Sequence, residues 1–253
     1  MRNRIGEEKV NNFGSKMKII KYDSYNNIDV HFPEYNWTAN NKQYYDFQKG
    51  TIKCPYEPRL YNKGYVGEGN YRASKNGKHT KYYAKWKHML QRCYSENYHK
   101  KRPTYKDCEV CDEWLNFQNF ADWFENNYYE VDGERMHLDK DILVKGNKIY
   151  SPDTCVFVPQ RINSLFENKK LHRGSNVLGV FKRASGNYEV QCSNADGNYI
   201  YLGRYNTEED AFKTYKSYKE KIIKQVAEEY YVKGLIPKIL YDGMYKYKVE
   251  IND

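Results

Sequence analysis

The sequence predicts an α+β protein built from several small modules, and three observations support that prediction. The chain has 253 residues, which allows one large domain or two to four small ones. Mean hydropathy is −1.02 and 28 residues are Tyr, so cores must be small and largely aromatic. Alternating strand patterns lie at both ends and helical periodicity lies between them. We expect a β-rich arm (1–66), a central domain of short strands with flanking helices (67–168), a three-stranded antiparallel sheet packed on one helix (176–231) and a tail (232–253).

The charge balance narrows the class of partner. Net charge is +9 and the pI is about 9.0, which favours a polyanion, although a merely soluble basic protein fits the same numbers. There is no apolar run of about 18 residues, so no membrane span is expected. The first residues lack the apolar core of a secretion signal, so we expect an intracellular protein.

Local patterns assign most elements. Segments 16–22 and 28–32 are rich in β-formers and are separated by Asp, Ser and Asn, which predicts a hairpin. Apolar spacings of three and four predict helices over 82–97 and 112–128, the second with Asp112 as N-cap. A short helix is expected over 160–168 and a strand over 245–251.

The segment 178–205 alternates as three strands broken at 185–187 and 195–198, and a long helix capped by Asn206 or Thr207 should then run to about Tyr231. One face should pack on that helix. The opposite face should be flat, aromatic and hydrogen-bonding, suited to a DNA major groove. Its predicted members are Phe181, Arg183, Glu189, Gln191, Ser193, Tyr199 and Tyr201.

This C-terminal segment resembles a known family. Gly179-Val180-Phe181-Lys182-Arg183, Gly186-Asn187-Tyr188-Glu189-Val190 and the run from Tyr201 to Ala211 are similar to the Apetala/ethylene-response-factor DNA-binding domain. The resemblance implies that the sheet binds double-stranded DNA. The alternative from the residues alone is a protein-interaction sheet.

The central segment resembles a phage-borne group of HNH-type, homing-like endonucleases. The matching words are Trp86..Met89..Arg92-Cys93-Tyr94, Val110-Cys111-Asp112-Glu113-Trp114, Leu138-Asp139-Lys140-Asp141, Gly146-Asn147 and Tyr150 to Val158. The resemblance implies a ββα site that hydrolyses phosphodiesters with one divalent metal, Mg²⁺ or Mn²⁺. It also implies a cytoplasmic location in an infected or lysogenic bacterial host.

Roles carried over from this family meet two departures. The resemblance places Asp139 as metal ligand and Asn147 as orienting residue, but Lys140 stands where the general-base His belongs and Thr154 where an Asn or His would close the metal site. His137 could replace the base if its strand is irregular. Alternatively, Lys140 contacts a phosphate and Asp141 joins Asp139 on the metal. A plainer interpretation makes both aspartates turn-capping carboxylates.

Three functions therefore stay open. The first, and the leading prediction, is an active DNA endonuclease, and the second is a catalytically degenerate, regulatory DNA-binding protein. The third is a phage counter-defence protein that blocks a host nucleic-acid enzyme, with a host protein as partner.

The cysteines allow a structural zinc site. Cys108-Glu109-Val110-Cys111 has the spacing of half a zinc knuckle, and Cys93 and Cys155 could complete four thiolates. The competing interpretation is that the cysteines are packed in the core, because free Cys behaves as a small buried hydrophobe. Cys93 fits the apolar stripe of its helix and Cys155 lies in an apolar run.

Overall fold

The structure, a computed structural model, describes residues 3–166 and 177–251. It divides into two compact units, Met1–Asn126 with Ile149–Ser151 and Asn127–Lys148 with Pro152–Asp253. Helices and strands both occur in each unit, so the predicted α+β class is confirmed. The finer module bounds stay predictions. Among the described helices, none has the length and apolar character that crossing a bilayer requires.

The first unit begins with a four-stranded antiparallel sheet in chain order. Its strands are β1 (Glu8–Val10), β2 (Lys16–Ser24), β3 (Asn27–Phe32) and β4 (Trp37–Lys42). Alternate residues such as Met17, Ile19, Ile28 and Val30 are buried, so the predicted N-terminal hairpin is confirmed.

Short helices and small strand pairs make up the rest of this unit. They are α1 (Tyr44–Lys49), the hairpin β5 (Ser74–Lys75) and β6 (Lys78–His79), α2 (Lys81–Tyr94), α3 (Glu96–Lys101), α4 (Asp112–Leu115), α5 (Phe117–Asn127) and the parallel pair β7 (Glu109–Val110) and β9 (Ile149–Tyr150). The predicted helix 82–97 is α2, and it ends earlier than expected. Ser95 terminates it and caps α3 by accepting a hydrogen bond from the Tyr98 N–H.

The single helix predicted over 112–128 is wrong. The chain breaks at Asn116, because Tyr65 accepts a hydrogen bond from Phe117 N–H and donates one to the Leu115 carbonyl. The Asn116 side chain then accepts from Gln118 N–H at the start of α5. The expected N-cap is also wrong: Asp112 lies in the first turn of α4, and Cys111 occupies the cap position. The pairing with Tyr65, which is distant in the chain, therefore breaks the helix although the apolar stripe continues through this segment.

The second unit combines a strand pair, a three-stranded sheet and two helices at the C-terminal end. Its elements are β8 (Met136–Asp139) and β10 (Val156–Pro159), which are antiparallel, α6 (Gln160–Leu165), β11 (Val180–Lys182), β12 (Tyr188–Ser193), β13 (Tyr199–Tyr205), α7 (Glu208–Val232) and α8 (Lys238–Lys246). The three strands and the long helix are confirmed, with Thr207 capping α7 at Asp210 N–H. The predicted helix 160–168 corresponds to α6, and its positions 167–168 lie outside the described residues.

The strand predicted over 245–251 is wrong, because α8 occupies Lys238–Lys246 and no strand follows it within the described residues. Pro237 stands at its N-cap, and Leu240 and Met244, four residues apart, are fully buried. Packing of this apolar pair outweighs the alternation of the following residues.

Arg161 holds the parts of the second unit together. From α6, its guanidinium makes two parallel 3.0 Å hydrogen bonds to the Glu229 carboxylate on α7. Its Nε donates to the Ala195 carbonyl in the turn between β12 and β13, at 3.0 Å. A bidentate pair of this kind fixes orientation as well as distance. The strand pair β8–β10 and the three-stranded sheet are therefore one folded body.

Candidate nucleic-acid interface

The β11–β13 sheet is built from two hairpins. Gly186 and Gly197 adopt φ of 86° and 84° in the two turns, a conformation that glycine takes without strain. In β12, Val190 and Cys192 point inward and are buried, and α7, whose Ala211 and Tyr215 are also buried, packs on this strand. This packing leaves the other face of the sheet outward.

The outward face carries the predicted residues, and three of them are exposed aromatics. Tyr199 is 78% exposed, Tyr201 56% and Phe181 43%. The register places Phe181 opposite Glu189, Gln191 opposite Tyr201 and Ser193 opposite Tyr199. Cross-strand neighbours share a face, so these side chains form one surface. Hereafter we call it the outer face: Phe181, Arg183, Glu189, Gln191, Ser193, Tyr199, Tyr201 and Arg204.

Arg204 reaches this face through a β-bulge. Val190 pairs with Gly203 and Gln191 with Tyr201, so Leu202 is the extra residue in β13. Strict alternation from Tyr201 would turn Arg204 inward, whereas the bulge turns it outward, opposite Glu189. Gly203 makes the bulge possible with φ of 127°. Strict alternation does not assign Arg204 to this face, and the glycine within the alternating strand was the signal in the sequence that could have indicated it.

Two arginines hold Glu189 on the outer face. Arg204 Nη2 donates to Glu189 Oε1 at 2.8 Å, and Arg183 Nε donates to Oε2 at 2.7 Å. These bonds lower the pKa of the Glu189 carboxyl, with Arg204 the larger cause and Arg183 the second. Glu189 itself is only 8% exposed, because the guanidiniums cover it. The cluster carries a net positive charge and holds its donors in fixed positions.

The loop after β8 gathers four of the predicted catalytic and metal residues. Asp139 Oδ1 accepts hydrogen bonds from the backbone N–H groups of Asp141 and Ile142, at 2.9 and 2.8 Å. Burial, and then the charge of Asp141, raise the pKa of the Asp139 carboxyl to about 6. Asp139 thus caps its own turn, as the plainer interpretation of this motif predicted.

Lys140 and Asn147 close this loop from inside. Lys140 is only 7% exposed, and its Nζ donates to the Asn147 carbonyl at 2.9 Å and to Asp141 Oδ2 at 3.1 Å. Asn147 Nδ2 donates back to the Lys140 carbonyl at 2.7 Å. The Lys140 ammonium and the Asn147 amide therefore stabilise the turn 140–147. In this arrangement the Lys140 ammonium points to acceptors within the loop and not outward, where it could contact a phosphate of a nucleic acid.

His137 occupies the same face of β8 as Asp139, two residues away. Its Nε2 lies 2.6 Å from Gln160 Oε1 at the start of α6. Thr154 lies in the turn before β10. The strand is regular at His137, which pairs with Val158, so the irregularity proposed to bring His137 into the place of Lys140 is absent from β8.

The loop offers a poor set of donors for a divalent cation. Mg²⁺ and Mn²⁺ prefer several oxygen ligands around one point. Here Asp139 Oδ1 already accepts two backbone bonds and Asp141 Oδ2 accepts from Lys140. Across residues 3–166 and 177–251, no three His, Cys, Asp or Glu side chains form a group that could hold a metal. The divalent metal cofactor stays a prediction.

The cysteines lie in packed surroundings. Cys93 is buried on α2, and the buried Cys108 donates its thiol to the Thr104 carbonyl at 3.9 Å. Burial raises the pKa of the Cys111 thiol, which opposes the thiolate that zinc requires. These observations favour the packing interpretation, and a zinc site stays a prediction.

No family model, no curated protein and no solved structure matches this chain, so the two family resemblances are carried by its own motifs alone.

Proposed function

We propose that the protein is a non-catalytic, regulatory binder of double-stranded DNA. The outer face is the surface that engages the duplex. The loop 139–147 serves as a structural turn. The observation that carries the proposal is a folded sheet whose Tyr199, Tyr201 and Arg204 project outward while α7 covers the opposite side. A free soluble protein gains nothing from exposing such a surface.

The chemistry of the outer face suits a major groove. A guanidinium can donate two bonds to guanine, a glutamine can bond adenine and a glutamate can accept from cytosine. Arg183 and Gln191 supply the first two of these groups, whereas Glu189 lies beneath the two arginines that it binds. The overall charge of +9 adds attraction to phosphate. Glu189 keeps the two arginines ordered before DNA arrives, which lowers the entropy cost of binding.

A binding titration tests this assignment. A labelled duplex of mixed sequence is titrated with the protein and with three variants, Tyr199→Ala/Tyr201→Ala, Arg204→Gln and Tyr45→Ala. We expect the first two to weaken binding by about 1–3 kcal/mol for each DNA-binding side chain that is replaced. Tyr45, an exposed tyrosine of the first unit, is the control and should leave affinity unchanged. Absence of binding by the unmodified protein would overturn the proposed function, whereas equal binding by all variants would overturn the choice of face.

Salt dependence gives a second readout of the same proposal. Each phosphate contact should lower log K by about 0.9 for each decade of salt. A titration insensitive to salt would contradict a mode that tracks the backbone.

An endonuclease is the second candidate, and the order of β8, β10 and α6 favours it. Two antiparallel strands followed by a helix match the ββα unit that the family resemblance implies. Supercoiled plasmid incubated with Mg²⁺ or Mn²⁺ separates the two candidates. Nicking that disappears in Asp139→Ala but persists in Asp153→Ala, an exposed aspartate of the turn before β10, would establish the enzyme. DNA binding without nicking under both metals would support the non-catalytic assignment.

A further inference from the structure

The first unit contains a strongly basic hairpin that the C-terminal assignment does not use. No aspartate or glutamate occurs between Glu68 and Glu96. The cationic residues of that stretch are Arg72, Lys75, Lys78, Lys81, Lys85, Lys87 and Arg92. β5 and β6 lie within it and form the feature that we call the basic hairpin (residues 72–81).

The basic hairpin is a tight two-residue turn. Asn76 and Gly77 adopt φ of 52° and 73°, both positive as a type I′ turn requires. Lys75 lies directly opposite Lys78, and Ser74 opposite His79. All six residues from Ser74 to His79 are exposed. The two lysines therefore project from one face of the same ribbon.

The opposed lysines are unfavourable in the free protein. Like charges directly across an antiparallel pair repel. Within the residues that the structure describes, neither Lys75 nor Lys78 has a carboxylate within ion-pair distance. An anion placed across both ammonium groups would remove the repulsion.

The base of the hairpin is firmly held. Thr80 N–H donates to the Ala73 carbonyl at 3.1 Å, and its hydroxyl donates to the Arg72 carbonyl at 3.0 Å. The His79 ring lies 4.8 Å from the Tyr83 ring on α2. Below it, the buried Gln118 accepts a bond from Tyr71 N–H. The ribbon is thus presented on a rigid support.

The surroundings add positive potential. The first turn of α2 has no acidic residue, and the positive end of its helix dipole lies beside Lys81. By contrast, α7 begins with Glu208, Glu209 and Asp210. The Asp122 carboxylate lies at the base of the hairpin, where it accepts a hydrogen bond from the Tyr71 hydroxyl at 3.1 Å. Among the described residues, it forms no ion pair with Lys75 or Lys78.

We propose that the basic hairpin is a second DNA-contacting element, in which Lys75 and Lys78 bind neighbouring phosphates of the duplex backbone. This inference rests on the proposed function, and it adds a contact surface in the other unit. Opposed Cβ atoms lie about 5 Å apart, so two extended lysines can span adjacent phosphates. The contact is independent of base sequence and contributes affinity rather than specificity.

The double variant Lys75→Gln/Lys78→Gln tests it in the full-length protein. Removing two phosphate contacts should reduce the slope of log K against log salt by about 1.8 and weaken binding roughly tenfold or more near 0.1 M salt. The matched control is Lys16→Gln/Lys18→Gln, which removes the same charge from two lysines already paired with Glu8. The control should leave the slope close to that of the unmodified protein.

The outcomes separate the two proposals. If the unmodified protein shows no DNA binding, both fall. If it binds and the hairpin variant keeps the full slope, the hairpin inference is wrong and the outer face stands. Misfolding does not explain weaker binding, because removing like charges relieves the hairpin, and circular dichroism of both variants checks this directly. Equal weakening in variant and control indicates general charge attraction and also overturns the inference.

Discussion

The loop 139–147 and the outer face use similar residues in opposite ways. In the loop, Lys140 and Asp139 direct their hydrogen bonds to neighbouring backbone groups, and the lysine is buried. On the outer face, Arg183 and Arg204 share one carboxylate and keep most of their donors toward solvent, beside exposed tyrosines. Residue type does not separate the structural role of the loop from the binding role proposed for the outer face. The direction of the polar groups does.

The largest expected effect comes from the buried lysine. Lys140→Met keeps the length of the side chain but leaves the Asn147 carbonyl and the Asp141 carboxylate without their donor. We expect the free energy of unfolding to fall by about 2–4 kcal/mol. Urea unfolding measures it, with Lys148→Met, an exposed residue directly after the loop, as control. If Lys140→Met kept the stability of the unmodified protein but lost plasmid nicking that the unmodified protein shows, Lys140 would have a catalytic role. The contrast between the loop and the outer face would then be wrong.

A binding effect comes next. Arg183→Ala removes one of the two outer-face guanidiniums, and we expect DNA affinity to fall by about 1–3 kcal/mol with weaker discrimination between target sequences. Competition titrations with unrelated duplexes measure both quantities. If neither affinity nor discrimination changes, Arg183 does not read DNA and the outer face loses its assigned role.

The β-bulge in β13 allows a test of how the outer face orients Arg204. Gly203→Ala places a side chain at φ of 127°, which costs about 1–3 kcal/mol. We expect lower stability and weaker DNA binding together, because relaxation of the bulge turns Arg204 away from Glu189. Arg204→Gln should weaken binding without a comparable drop in the unfolding midpoint. Normal DNA binding by Gly203→Ala would show that the bulge does not position Arg204 for DNA.

The smallest effect is a pH dependence in the loop. The pKa of Asp139 is raised to about 6, above the unfolded value of about 3.9, so the folded state favours its protonated form. Its contribution to stability is therefore present below about pH 4 and is lost as the pH rises through about 6. Asp139→Asn retains an acceptor for both backbone bonds and removes the charge.

Comparing the unmodified protein with Asp139→Asn isolates the contribution of the Asp139 carboxyl group to stability. Relative to the unmodified protein, Asp139→Asn should become more stable as the pH rises from about 4 to about 7. Urea unfolding at several pH values measures the difference. A variant less stable at neutral pH would show that the charged carboxylate has a favourable partner. A Tm increase with Mn²⁺ in the unmodified protein alone would identify that partner as a metal.

The sequence predicted the local elements well, because their causes are local. Alternation and Gly-containing turns specified the strands between 178 and 205, and Thr207 marked the start of α7. The grouping of Asp139, Lys140 and Asn147 also followed from their closeness in the chain. The break at Asn116 and the C-terminal helix escaped prediction, since Tyr65 and the surface of α7 are distant partners.

The same distinction holds for the candidate site. Alternation alone specified that Phe181, Tyr199 and Tyr201 share a face, and composition specified a basic, aromatic protein. Folding was needed to put Arg204 on that face, because a single extra residue in β13 reverses every side chain beyond it. Folding was also needed to turn the Lys140 ammonium inward, since burial and backbone acceptors seven residues away set its direction. Secondary-structure preferences depend on residues that are close in the chain. The direction in which a charged side chain points depends on which surfaces the rest of the folded chain buries.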